Sequence, residues 1–316
     1  MKAKNLVLTG LILSSGAATG IALINKYIKV NAISKHIHSD SDYLCFKWIH
    51  GNVYYKKSGS GRPLLLIHDL NVMSDSFEWS KIIPLLSQNH TVYAIDLLGF
   101  GNSEKPGMTY TNYMFVQLIS DFIKSEIGHR TNVITSGESA SIALMACNNN
   151  PDLFDEMIFI NPLRLVDYTQ IPGKTARLYH WFLQLPMIGT LTYHIALSRN
   201  HIKNELISES FFNPVLVNEH EIDRCYESSH LGHSPKSVYA SIRCNYTKCN
   251  VTHSLKKTDN SICIIGAGEI EGIQDLLHEY QACNSSIEVE LIPDTKKLPH
   301  FEKPNQVYQL IQTYLR

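Results

Sequence analysis

The sequence predicts an α/β protein, a doubly wound and mostly parallel sheet with a helical cap inserted late in the chain and one long apolar helix ahead of it. Three observations carry this. Short apolar runs alternate with stretches of helical spacing from about Tyr54 onward, the pattern that places parallel strands between covering helices. The alternation stops between Leu163 and Lys257, where helical spacing alone is found. Before all of this, Leu6 to Ile24 holds no charged residue. The expected divisions are therefore residues 1–30, an N-terminal anchor; 42–162, the first part of the core; 163–257, the cap; and 258–316, the second part of the core.

The N-terminal run is flanked by Lys2 and Lys4 on one side and Lys26 and Lys29 on the other. About twenty apolar residues at a rise of 1.5 Å each cross a hydrocarbon layer of roughly 30 Å. The run reads as a single-pass transmembrane helix whose partner is the lipid bilayer; a cleaved signal peptide ending near Ser15-Gly16-Ala17 is the competing reading. Positive charge is balanced across the run and does not orient it. Seven scattered cysteines do not form a disulfide framework and favour a reducing, cytoplasmic setting for the domain.

Tyr43 to Trp48 and Asn52 to Lys57 read as two opening strands, with a turn at Gly59-Ser60-Gly61. Pro63 to Ile67 is a third strand ending at His68-Asp69, and Val92 to Leu97 a fourth, followed by the turn Gly99 to Pro106. Thr111 to Ile127 has the spacing of a helix, with Phe115, Leu118, Ile119, Phe122 and Ile123 on one side. Val133 to Ser136 is a strand that breaks into Gly137-Glu138-Ser139-Ala140-Ser141 and then into a helical pattern. Glu156 to Pro162 is a buried strand closed by proline. Arg177 to Leu185, Gly189 to Leu197 and Ser237 to Leu255 read as cap helices, and Ser261 to Glu269 and Ile287 to Ile292 return to strands.

The small-x-Ser-x-small turn lifts a serine off the end of a strand at a helix N-terminus. Together with His68-Asp69 after the third strand and Asp96-x-x-Gly99-x-Gly101-x-Ser103-x-x-Pro106 after the fourth, it resembles the α/β-hydrolase superfamily from about Tyr54 to Arg316. The resemblance implies an eight-stranded sheet with a cap that shapes the substrate pocket. It implies a nucleophile at Ser139, an oxyanion hole from the backbone N–H groups of Leu70 and Ala140, and an orienting acid at Glu269, with Glu271 close by. The last loop, Lys297-Leu298-Pro299-His300-Phe301-Glu302-Lys303-Pro304, is similar to the family's Gly-His-x-Pro-His-x-Glu-x-Pro but has Lys297 where the general base stands.

Three readings follow from that substitution. His300 takes over as base, which requires positions 297 and 300 to share a face; Lys297 assists Ser139; or turnover is lost and the pocket binds a ligand or partner. The favoured function is hydrolysis of a carboxylic ester or related acyl compound, lipophilic in character, and the alternative is a catalytically impaired binding module. No organic cofactor is implied. The net charge of -1 and the lack of a long basic run exclude nucleic acid as a partner. His36-x-His38 and His230-x-x-His233 lack companion ligands and read as surface histidines, not metal sites.

Overall fold

The computed structural model describes residues 2–38 and 42–315, with the backbone alone for residues 2–15. The described residues form eight strands: β1 (Leu44–Trp48), β2 (Gly51–Ser58), β3 (Arg62–Ile67), β4 (His90–Ile95), β5 (Thr131–Ser136), β6 (Phe154–Ile160), β7 (Ile262–Ala267) and β8 (Glu288–Ile292). They form one sheet in the order β1-β2-β4-β3-β5-β6-β7-β8. β2 runs antiparallel to β1 and β4; every later pairing is parallel.

Period-two alternation explains why the central strands are apolar throughout. Leu65, Ile67, Val133, Phe159 and Ile264 face one core, and Leu64, Leu66, Ile134, Ile158 and Ile265 face the other. Both faces are covered by helices, so neither set of side chains can be polar. β3 pairs with β4 on one side and β5 on the other, with Ile67 level with Ile95 and Thr135. The connections after β3 and β5 leave in opposite directions from this point, opening a crevice at the carboxyl ends of the strands, where ligands bind in such sheets.

Local chemistry sets the helix ends. Thr111 caps the helix Asn112–Phe122 by accepting the Met114 N–H at 3.3 Å. The same helix widens into a π turn over Ile123–Ile127 and stops at Gly128, whose φ of 72° suits a glycine C-cap. Between β6 and β7 lie the helices Leu165–Tyr168, Lys174–Gln184, Ile188–Ala196, Arg199–Glu205, Glu219–His230, Pro235–Arg243 and Thr252–Lys257. The single helix expected over Ser237 to Leu255 is two helices, because Asn245 takes φ 61° and breaks the run. Asparagine tolerates that left-handed conformation better than other side chains.

The N-terminal helix Lys2–Ala32 lies with its second half on the cap. Asn25 Nδ2 donates to the Met187 carbonyl at 2.9 Å and Lys29 Nζ to that of Gly232 at 2.6 Å. Among the described residues no helix is long and apolar enough to cross a membrane. Most of the apolar run Leu6 to Ile24 falls on side chains outside the described residues. Beyond the helix the chain enters the cap, where the Ile37 and His38 N–H groups donate to the Glu227 carboxylate at 3.0 and 3.1 Å.

The side chains of His38 and His230 are buried, contrary to the surface position expected of them. His38 Nε2 lies 3.1 Å from Asp75 Oδ2, and His230 stacks on His194 at 5.0 Å.

Candidate active site

β5 ends at Ser136, and the next residue, Gly137, takes φ 57° before the chain enters a 3-10 turn, Gly137–Ser139, and then the helix Ala140–Asn149. The sharp residue between strand and helix is therefore Gly137, two positions before Ser139. Ser139 sits in ordinary helical conformation (φ -64°, ψ -15°), is fully buried, and donates its hydroxyl to the His68 carbonyl at 2.5 Å. The Ala140 N–H points back to the carbonyls of Gly137 and Glu138. A run of small residues suits two overlapping turn registers; the structure uses the one in which glycine supplies the left-handed residue.

The elbow is occupied by a side chain from another strand. A Cβ on Gly137 would lie 2.1 Å from Asp69 Oδ1 and 2.3 Å from its Cγ. Asp69 follows β3, and its Oδ1 accepts the Glu138 N–H at 2.8 Å while the Leu70 N–H also bonds the carboxyl group. His68 steadies this arrangement: its Nε2 accepts the Leu97 N–H at 3.0 Å, so its Nδ1 carries the proton and donates to the Asp69 carbonyl at 2.7 Å. Two backbone donors at such an elbow are the place where a hydrolase of this kind holds a substrate oxygen. Leu70 was expected in that role; Glu138 takes the place expected for Ala140; and the chain's own carboxylate fills the position.

Burial raises the Asp69 carboxyl above the ordinary range, with the Glu138 amide, the Lys297 charge and the Leu70 amide opposing it. Beside it stands Glu78, 4 % exposed, whose Oε2 faces the Asp69 N–H at 3.5 Å and which also bonds Ser136. Burial, then the neighbouring Asp69 charge, pushes Glu78 well above the ordinary range.

Lys297 and His300 part company. Lys297 is exposed at the cavity, its loop held by Asn161, whose Nδ2 donates to the Lys296 and Lys297 carbonyls at 3.1 Å each. His300 lies on the short helix Pro299–Glu302, fully buried and stacked on Trp79 at 4.1 Å, with neither ring nitrogen hydrogen-bonded and Nε2 3.8 Å from Glu78 Oε1. Burial lowers its pKa to about 3. The shared face that would let His300 replace a base at position 297 does not form. Glu269 is exposed and outside the cavity lining, and Glu271 stands at the cavity wall.

The cavity itself measures about 270 Å³. Met73, Leu163, Leu206, Phe211, Leu298 and Phe301 give it apolar walls, and Asp69, Glu78, Ser136, Gly137, Asn161 and Lys297 a polar end. Arg224, buried in the wall, donates Nη1 to both Asp75 oxygens at 2.7 and 2.9 Å and lies 4.2 Å over the Phe77 ring. Ser136, Glu78, Asp75 and Arg224 stand out from no motif in the sequence, and Gly137 reads there only as a small residue that permits the turn. Only Gly137 carried a signal there, as the one glycine between Ile134 and Ile142 able to take a left-handed turn without strain.

A parallel sheet of this order, with a strand-to-helix elbow at its switch point and helices inserted after β6, defines the class. Residues 62–231 match the model of the alpha/beta hydrolase fold family. The chain belongs to that family. It is 38% identical over 72 residues to a 2-hydroxy-6-oxo-6-(2'-aminophenyl)hexa-2,4-dienoic acid hydrolase of Metapseudomonas resinovorans, a stretch covering 22% of this chain and 25% of the relative. It is 30% identical over 110 residues to a soluble epoxide hydrolase of Corynebacterium sp. (strain C12), covering 34% and 37%. These matches span well under half of either relative. Among solved structures, a membrane phospholipase A described as a bacterial virulence factor superposes with a TM-score of 0.66 at 17% identity, over 100% of this chain and 98% of that one, a likeness of fold.

Proposed function

We propose that this chain binds an apolar small molecule in its cavity and does not hydrolyse it through a serine at the elbow. The observation that carries this reading is the pairing of Gly137 with Asp69: the position that would present a nucleophile has no side chain, and the donors that would hold an oxyanion already hold a carboxylate. Hydrolysis needs both parts together, since members of such a site act as a unit. Lys297 in place of the general base fits the same reading.

A second reading, hydrolysis of a carboxylic ester or related acyl compound, is favoured by the relatives, whose names are those of hydrolases. Its nucleophile is Ser136, the hydroxyl in the cavity lining that bonds Glu78, or Ser139 in a rebuilt turn, with Lys297 or His300 as base and Glu269 orienting. Fluorophosphonate labelling of the full chain beside Ser136→Ala and Ser139→Ala separates the two. No labelling above the double variant supports binding alone; rapid labelling lost in one variant names the nucleophile and overturns the first reading.

The N-terminal helix is proposed as a bilayer anchor with the domain on the cytoplasmic side. Support comes from its uncharged stretch, from exposed Leu23, Ile24, Tyr27 and Val30 along it, and from exposed Leu178, Trp181 and Ile195 on two of the cap helices. Retention in membranes after carbonate washing, lost on Leu11→Lys with Leu13→Lys, is the expected result. Cys45, which is exposed, is expected to resist a membrane-impermeant maleimide until cells are opened.

A further inference from the structure

The polar end of the cavity has the opposite hydrogen-bonding sense from the one its fold is built to offer. Where the elbow would present two N–H donors to a ligand oxygen, both donors are spent on Asp69, and a carboxylate has acceptor capacity left after two bonds. The Glu271 carboxyl group also lines the cavity and adds acceptors. A ligand carbonyl placed against Asp69 would set acceptor on acceptor and leave buried polar groups unpaired, which costs more than a missing hydrogen bond. A hydroxyl or N–H would be matched. Lys297, across the same end of the cavity and close enough to act on Asp69, supplies a donor for a ligand acceptor and offsets the carboxylate charge. The Asp69 and Lys297 charges offset each other, so the pair gives a charged head no net attraction to repay its desolvation.

Resting on the reading of the cavity as a ligand site, we infer that it selects an uncharged head group that donates a hydrogen bond, an alcohol or primary amide, carried on an apolar chain. In an amide the N–H faces Asp69 and the carbonyl faces Lys297, while the chain lies along Leu206, Phe211 and Phe301.

The test measures binding of four compounds of equal chain length to the full protein by calorimetry: 1-octanol, octanamide, 1-methoxyoctane and N,N-dimethyloctanamide. Removing the donor is expected to weaken binding about tenfold or more in both pairs. Asp69→Asn, whose carbonyl can still accept both amides while its NH₂ turns toward the ligand, is expected to abolish the preference, because the parent and the methylated compounds all carry an oxygen that can accept from that NH₂. Methylated compounds binding the wild-type chain as tightly as their parents would overturn the inference and leave the ligand cavity standing. No binding by any of the four would overturn the cavity reading and the inference with it. The wild-type comparison stands by itself if the variant fails to fold.

Discussion

Gly137→Ala tests the elbow directly, and the molecule carries its own control. Gly128 and Gly137 both have positive φ, 72° and 57°. A Cβ on Gly128 meets nothing within 4 Å, whereas one on Gly137 falls 2.1 Å from Asp69 Oδ1. Alanine at Gly128 therefore reports the left-handed backbone alone, about 1–2 kcal/mol. At Gly137 the same cost is joined by expulsion of the carboxylate from the Glu138 amide, a hydrogen bond to a charged group worth about 1.5–3 kcal/mol. The expected loss is about 2.5–5 kcal/mol, read from urea midpoints of the full chain. In an Asp69→Gly background the clash is gone, and Gly137→Ala should cost no more than Gly128→Ala does. Equal costs at the two glycines, or effects of Asp69→Gly and Gly137→Ala that add within about 0.5 kcal/mol, would refute the placement of Asp69 in the elbow.

Arg224→Ala strands Asp75 in the interior and should destabilise the fold by about 3–5 kcal/mol, whereas Arg224→Met with Asp75→Leu recovers most of the loss, both read by denaturant titration. His300 has a folded pKa of about 3, below the ordinary 6.5 or so. The unfolded chain thus takes up the proton first, and the stability this residue contributes is full above pH ~6.5 and lost as pH falls from there toward ~3. His300→Phe should flatten the pH dependence of stability in that window, leaving the slope due to the other buried groups, among them His194 and His230, each lowered by burial to about 4. An unchanged slope would mean that His300 is solvated.

The sheet was legible because its information is local. Leu64 to Ile67 is apolar on both alternating faces, and such a strand has to be central; Thr111 announces its helix by its own side chain. The elbow was less legible because two registers of one small-residue run differ only in where β5 stops pairing, and Ser136 opposite Ile160 is a tertiary fact. His300 reads as a candidate base until Trp79 covers its ring. The Arg224 to Asp75 pair joins residues 149 positions apart, a separation at which no spacing rule operates.

The stretch that leads from the N-terminal helix into the cap has a mechanical consequence. Within six residues of Ala32 the backbone is pinned to Glu227, Lys35 is paired with Asp223, and the His38 ring bonds Asp75, which Arg224 ties to the cavity wall. A helix joined to its body in this way is a strut and not a leash. Any force or tilt applied to its far end passes to the cavity wall without slack, so whatever fixes that end also fixes the compass bearing of the cavity mouth.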